Sequence, residues 1–204
     1  MTNHHGLTLA RRDDLTVIDC RACSYAHLWP LPELGADYYE SEFWQVTKAG
    51  ARAIAEGQRD WLEMRHGDWL VALYENYVGP TLLDVGCGYG DFLALANKQG
   101  RRTYGIEPST EASTYCKISG IQIISDMWEK YSLPGRWDAI TAFWLLEHLP
   151  DPLAFLRWCY AHLYGAGGLM LAVPNEWTVE QAAANLVAAK QYWWLDKTHY
   201  SYFT

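Results

Sequence analysis

Leu82-Leu83-Asp84-Val85-Gly86-Cys87-Gly88-Tyr89-Gly90-Asp91-Phe92-Leu93 joins a short apolar run, an acid, three glycines at alternate positions and a second apolar-periodic segment. That order predicts a strand, a tight turn and a helix. Glycine suits the turn because the backbone there needs positive φ and because a ligand can approach bare main chain. The helix opening near Gly90 would aim its unpaired N–H groups at such a ligand.

Downstream, the same alternation recurs. A helix runs to about Gln99 and stops at Gly100, and 103–107 reads as a second strand closed by Pro108. Ser109 or Thr110 caps a helix to about Ser119, with Glu111 in its first turn. Residues 121–124 form a third strand ending at Asp126, and 137–143 a fourth. Asp151-Pro152 opens another helix, and a turn over 165–168 leads into a fifth strand over 169–173. Alternating strands and helices imply parallel pairing through right-handed crossovers. The expected fold class is α/β: a doubly wound, Rossmann-like, mostly parallel sheet with helices on both faces. Its ligand belongs at the carboxyl ends of the strands, where Glu107, Asp126 and Phe143-Trp144 fall.

Upstream, residues 1–19 read as an extended lead-in. Cys20-Arg21-Ala22-Cys23 is half of a zinc knuckle, but no second pair follows; His4, His5 or His27 could complete a site, though their spacing is not diagnostic. Two free thiols are therefore the preferred expectation, with zinc at Cys20 and Cys23 the alternative. Residues 38–44 read as a short aromatic helix, and 49–77 as a longer one stopped by Gly79-Pro80.

The 204 residues carry 16 basic and 24 acidic side chains, a net charge of −8, which argues against nucleic acid or an anionic membrane as partner. No apolar run approaches the roughly 20 residues of a membrane span, and the start lacks a secretory signal, so a cytoplasmic protein is expected. The 11 Trp and 14 Tyr are the unusual feature; such rings fill cores and also wall ligand pockets.

Two nucleotide classes use this arrangement. A dinucleotide fingerprint places a third glycine where Asp91 stands, so an NAD-dependent oxidoreductase is the weaker alternative. Asp84-x-Gly86-x-Gly88-x-Gly90 instead resembles the first motif of the class I S-adenosylmethionine-dependent methyltransferases. Further likeness lies in Glu107, Asp126, the segment 146–152 (Leu-Glu-His-Leu-Pro-Asp-Pro) and Val173-Pro174-Asn175, as in the small-molecule, sugar and ubiquinone-type branch.

The resemblance implies a methyl transfer to a small-molecule acceptor, with S-adenosylmethionine as donor and S-adenosylhomocysteine as product. It assigns cofactor contacts to Tyr39, Asp84, Gly86, Cys87, Gly88, Gly90, Glu107, Pro108, Asp126, Met127, Phe143 and Trp144. Within these, Glu107 would grip the ribose hydroxyls, Asp126 the adenine amino group and Asp84 the methionine ammonium. His148 and Glu147 are the polar candidates beside the methyl, with His199 a second base. No metal is expected there, because Trp144 stands where related enzymes place an acid.

The resemblance also divides the chain into an N-terminal extension, 1–48, carrying the Cys-x-x-Cys and a helical aromatic lid with Tyr39 and Trp44, and a methyltransferase core, 49–204. The core stops after the fifth strand, so truncation is expected, with sheet completion by a second copy in a homodimer as the other reading. A non-catalytic cofactor-binding or partner domain is a further alternative.

Overall fold

In a computed structural model, the protein is described over residues 4–32, 59–76, 79–131, 135–188 and 197–203. Tyr38, Tyr39 and Trp44, and with them the expected aromatic lid, lie outside the described residues. The chain divides into two compact units. One comprises Leu34–Phe143 and Leu156–Leu171; the other comprises Met1–Glu33, Trp144–Phe155 and Ala172–Thr204.

The first unit is organised on β4 (Thr81–Val85). Its neighbours are β5 (Arg102–Ile106) and β7 (Trp137–Phe143), both parallel to it. β6 (Ile123–Ile124) pairs in parallel with β5, and β8 (Leu163–Ala172) completes the order β6-β5-β4-β7-β8. In chain order that is third, second, first, fourth, fifth strand, so the order reverses between β4 and β7. This is the switch point of a doubly wound sheet.

Both faces of β4 are buried: Leu82 is 1 % exposed, Leu83 0 % and Val85 1 %. A strand apolar on both sides has to be covered on both sides, which accounts for its unbroken apolar run. On one face, Leu70 and Leu73 of α1 (Arg59–Asn76) pack with Leu82 and Ala139. Phe92, Leu93 and Ala96 of α2 (Asp91–Lys98) join the same cluster, as does Cys116 of α3 (Thr110–Ile118). α4 (Pro152–His162) contributes the buried Cys159, and its Trp158 meets Trp128 and Tyr131 edge-on.

The second unit carries an antiparallel sheet. β1 (Gly6–Arg12), β2 (Leu15–Cys20) and β3 (Tyr25–Leu28) form a meander, and β9 (Ser201–Tyr202) pairs with β3. The expected extended lead-in is thus a hairpin, turned at Asp13-Asp14 with Asp13 at φ 53°. Its signal was weak because β1 is almost wholly exposed, so water imposes no apolar alternation on it. α5 (Val179–Ala188) lies in this unit as well. The fifth strand of the large sheet starts earlier than expected: residues 163–168 belong to β8 rather than to a turn. Gly167 lies so close to the Trp137 and Asp138 carbonyls that a Cβ would stand 3.0 and 2.9 Å from them, which favours glycine at that position.

Candidate functional site

Among the described residues, the large sheet brings its polar groups together at the carboxyl ends of β4, β5 and β7. Register sets the first pair. Asp84 lies opposite Thr141 in the β4–β7 ladder, and the Thr141 hydroxyl donates to Asp84 Oδ1 at 2.8 Å. Asp84 is 3 % exposed, and burial pushes its carboxyl up to about 7; the Thr141 hydrogen bond opposes the rise and the charge of Glu107 adds to it.

The chain leaves β4 through Gly86, Gly88 and Gly90, all at positive φ (71°, 55° and 76°). Gly86 N–H bonds the Ile106 carbonyl at 2.8 Å, tying the turn to the end of β5. Gly90 caps α2 in the left-handed conformation. A Cβ there would lie 2.6 Å from Ile121 Cδ1 and 3.0 Å from Cys116 Sγ, so this glycine serves packing as well as the turn.

Glu107 follows β5 and closes on that loop. Its Oε2 accepts from Gly88 N–H at 3.0 Å and its Oε1 from Ser109 N–H at 2.8 Å. Burial raises its pKa, with those two N–H groups pulling the other way. Two buried carboxylates therefore share one region, and neither has a basic side chain among the causes of its shift. Such a region favours a ligand that brings positive charge or hydrogen-bond donors.

The other residues singled out from the sequence divide by environment. Cys87 packs its side chain against the apolar cluster, beneath Gly105, and its thiol donates to the Gly88 carbonyl at 3.9 Å. Pro108 is half-buried between Glu107 and Ser109, and Ser109 caps α3 by accepting from Ala112 N–H at 3.3 Å. Asp126 Oδ1 accepts from Met127 N–H at 2.8 Å and pairs with Lys130 Nζ at 3.0 Å, and the Lys130 hydrogen bond holds its pKa down. Met127 is half-buried ahead of a single turn over Trp128–Lys130. Phe143 sits in an aromatic group, 4.3 Å from Trp69 and 4.9 Å from Phe92 between ring centroids. Trp144 is 42 % exposed at φ 52°, an uncommon conformation for so bulky a residue, and its N–H bonds the Ala172 carbonyl at 2.7 Å.

The second unit gathers the catalytic candidates. Glu147, His148 and His199 place their ligand atoms within 4.8 Å of one another. His148 Nδ1 donates to the Thr198 carbonyl at 2.8 Å, and the two imidazoles meet edge-on with centroids 4.9 Å apart. Glu147 is 1 % exposed; burial pushes it up to about 7, and its Oε2 has no hydrogen-bond partner among the described residues. The sequence named these three residues but not that they meet, since 50 residues separate His148 from the Thr198 that orients it.

Sequence reasoning took Ser109 only as a helix cap, not as a donor to Glu107, and missed Thr141. The available signal was one hydroxyl in the otherwise apolar Ala139-Ile140-Thr141-Ala142-Phe143 run, opposite an acid once the parallel register is set. A cavity of about 1020 Å³ opens at the amino ends of the strands, beside Thr81, Arg102 and Trp137. That is the edge opposite the one where this fold class binds ligands, so size does not make it the site.

A family profile described as a methyltransferase domain matches residues 57–204. The chain belongs to that family. It is 29 % identical over 125 residues to the ubiquinone biosynthesis O-methyltransferase of Pseudomonas paraeruginosa, covering 57 % of this chain and 50 % of the relative. It is 35 % identical over 96 residues to the enzyme of the same name from Serratia proteamaculans, covering 43 % and 39 %. The chain thus spans half or less of the length of these curated relatives. Among solved structures, the plantazolicin methyltransferase BpumL in complex with SAH aligns with a TM-score of 0.59 at 16 % identity, over 77 % of this methyltransferase-family chain and 62 % of that one. A SAM-dependent methyltransferase from Archaeoglobus fulgidus aligns at 0.55 and 20 % identity, over 70 % and 62 %. At these identities the structural likeness establishes the fold, which is the doubly wound class the sequence implied. No helix among the described residues is long and apolar enough to cross a membrane.

Proposed function

We propose that the chain is an S-adenosylmethionine-dependent methyltransferase acting on a hydroxyl of a small-molecule acceptor. The observation that carries the reading is the Glu107 clamp. A buried carboxylate is fixed by Gly88 N–H and Ser109 N–H, between the glycine turn and the end of β5. Its remaining lone pairs suit a vicinal diol such as a ribose. The residues present fit the cofactor in charge, because Asp84 and Glu107 raise the demand for a cationic or donor-rich ligand. When bound, S-adenosylmethionine supplies a methyl group already activated on a sulfonium.

The chain's own task is then to bind, align and manage one proton. Glu107 would hold the ribose hydroxyls, Asp84 the ammonium end, and the backbone of Gly86, Gly88 and Gly90 would let the ligand approach closely. Asp126 and Met127 would meet the adenine, and Phe143 and Trp144 would wall the site. A hydroxyl acceptor needs a base. His148 is the proposed base, because the Nδ1–H bond to Thr198 leaves Nε2 as its lone-pair side. Glu147 and His199 would share the proton with it, since all three groups lie within reach of one another. An oxygen acceptor also accords with the relatives named O-methyltransferases.

Calorimetric titration with S-adenosylhomocysteine and with NAD tests the cofactor. Binding of the first supports the reading, and tight binding of NAD alone overturns it. A panel of phenolic, catecholic and sugar acceptors, scored by a mass gain of one methyl group, then identifies the substrate class.

A further inference from the structure

The antiparallel sheet holds a second polar cluster. Cys20 ends β2, Cys23 lies in the turn to β3, His27 is within β3, and His4 precedes β1. Antiparallel pairing of Gly6 with Cys20, and of Ile18 with His27, folds His4 and His27 onto the two cysteines. Their four ligand atoms all lie within 4.8 Å of one another. His4 Nδ1 stands 3.2 Å from His27 Nε2, 3.3 Å from Cys23 Sγ and 3.7 Å from Cys20 Sγ.

Hydrogen bonding within the cluster does not account for this convergence. His27 Nδ1 donates to the Leu28 carbonyl at 2.7 Å, so its Nε2 presents a lone pair to the cluster. His4 Nδ1 has at most one proton to offer, yet three neighbours crowd it. A cation at the centre satisfies all four groups at once. With zinc–nitrogen bonds of ~2.0–2.1 Å and zinc–sulfur bonds of ~2.3 Å, a tetrahedron has nitrogen–nitrogen edges of ~3.4 Å and nitrogen–sulfur edges of ~3.6 Å. The cluster already lies near those values. Its surroundings supply the outer contacts of a structural metal site as well. The Leu28 carbonyl orients the His27 ring. Backbone N–H groups of Cys23, Ala22 and His5 face the Cys20 sulfur, and the Trp29 ring stacks on His4 at 4.4 Å.

We infer that His4, Cys20, Cys23 and His27 form a tetrahedral two-cysteine, two-histidine zinc site. Binding releases the two thiol protons to solvent and leaves both sulfurs as thiolates. No open coordination position remains, so the site is structural rather than catalytic. The sheet has reason to need it: its apolar cluster of buried residues is Val17, Leu28 and Tyr202, and small cores of this kind are commonly supported by a metal. Through the His27–Ser201 pairing, the metal also fixes the strand that follows His199. Two free thiols were preferred from the sequence because the spacing of His4 and His27 is not diagnostic until strand pairing brings them beside the cysteines.

The test is metal analysis of the full chain purified under reducing conditions, followed by exchange into cobalt(II). One zinc per chain is expected, with a cobalt spectrum showing tetrahedral d–d bands and thiolate charge transfer. Cys23→Ser and His4→Ala should each weaken zinc binding roughly 100-fold or more, and a chelator should lower the melting temperature of the wild-type chain. His4→Ala guards against misfolding, since it alters a side chain outside every strand. A chain without zinc and without a tetrahedral cobalt spectrum, a spectrum unchanged by both substitutions, or a Cys20–Cys23 disulfide in place of metal would each overturn the inference.

Discussion

Replacing Asp84 by Asn asks how a buried acid at the end of the central strand is held. Burial moves this carboxyl from 3.8 to about 7, and each unit of difference between folded and unfolded chain is worth ~1.4 kcal/mol. The unfolded chain loses the proton near 3.8 and the folded chain near 7. Between those values the folded state binds more protons, so stability falls as pH rises. Over the whole window the loss is about 4 kcal/mol, of which about 3 kcal/mol falls between pH 5 and pH 8. The Asn side chain carries no charge at either pH and keeps an oxygen to accept the Thr141 hydroxyl, now at 2.8 Å from Asp84 Oδ1. Acids distant from Asp84 are common to both proteins and cancel in the difference, and Glu107, relieved of the Asp84 charge, changes in the same direction.

Chemical denaturation of the ligand-free chain at pH 5 and pH 8 is the assay. The variant should gain about 3 kcal/mol on the wild type between the two pH values, or roughly 6–12 °C in melting temperature. In the same variant, affinity for S-adenosylhomocysteine should fall at least tenfold, because the charge proposed to answer the ammonium group is gone. A stability difference that does not change with pH would refute the buried-charge reasoning. Unchanged affinity would refute the anchoring role.

Glu107→Gln keeps one acceptor but places an NH2 group against either Gly88 N–H or Ser109 N–H; calorimetry should show S-adenosylhomocysteine binding weakened roughly 10–100-fold, the worth of a charged hydrogen bond. Gly90→Ala adds a Cβ at φ 76° against Ile121 and Cys116, and denaturant melts should show a loss of roughly 2–4 kcal/mol with the slope unchanged. For the transfer itself, His148→Ala should lower the turnover rate about 100-fold or more with little change in cofactor affinity. Glu147→Gln should flatten the pH–rate profile near 7, where the wild-type carboxyl titrates.

How much of this was legible depended on whether water or a distant partner set the pattern. The β4–α2 run was readable because a strand buried on both faces must be apolar throughout, and because the turn demands glycine at Gly86, Gly88 and Gly90. Glu107 was readable because it ends a strand in a fixed place relative to that turn. β1 was not, since its exposed residues carry no apolar alternation. Thr141 became legible only through the β4–β7 register. His4 and His27, 23 residues apart, acquire meaning only when antiparallel pairing sets them beside the two cysteines. The ladders that decide such meetings are long-range, and no local window of sequence contains them. Trp144 illustrates a different limit: its positive φ is a property of the route between β7 and the following turn, not of a tryptophan.

Asp84 and Glu147 both titrate near 7 for the same first reason, burial, yet their surroundings lead to different chemistry. Asp84 has a hydroxyl on one oxygen and the charge of Glu107 raising its pKa, with no imidazole among the causes of its shift. A ligand that brings positive charge would relieve the cost of that burial, which is why Asp84 is proposed as a binding determinant. Glu147 has an oxygen without a hydrogen-bond partner, and two imidazoles whose nitrogens lie within 4.8 Å of the carboxylate. A neutral imidazole carries one basic ring nitrogen, which matches a carboxyl raised by burial as a proton partner. That matching suits general-base work, in which the proton must be accepted and then released near neutral pH. Burial alone therefore does not assign a role to a raised carboxyl; the neighbour able to take its proton does.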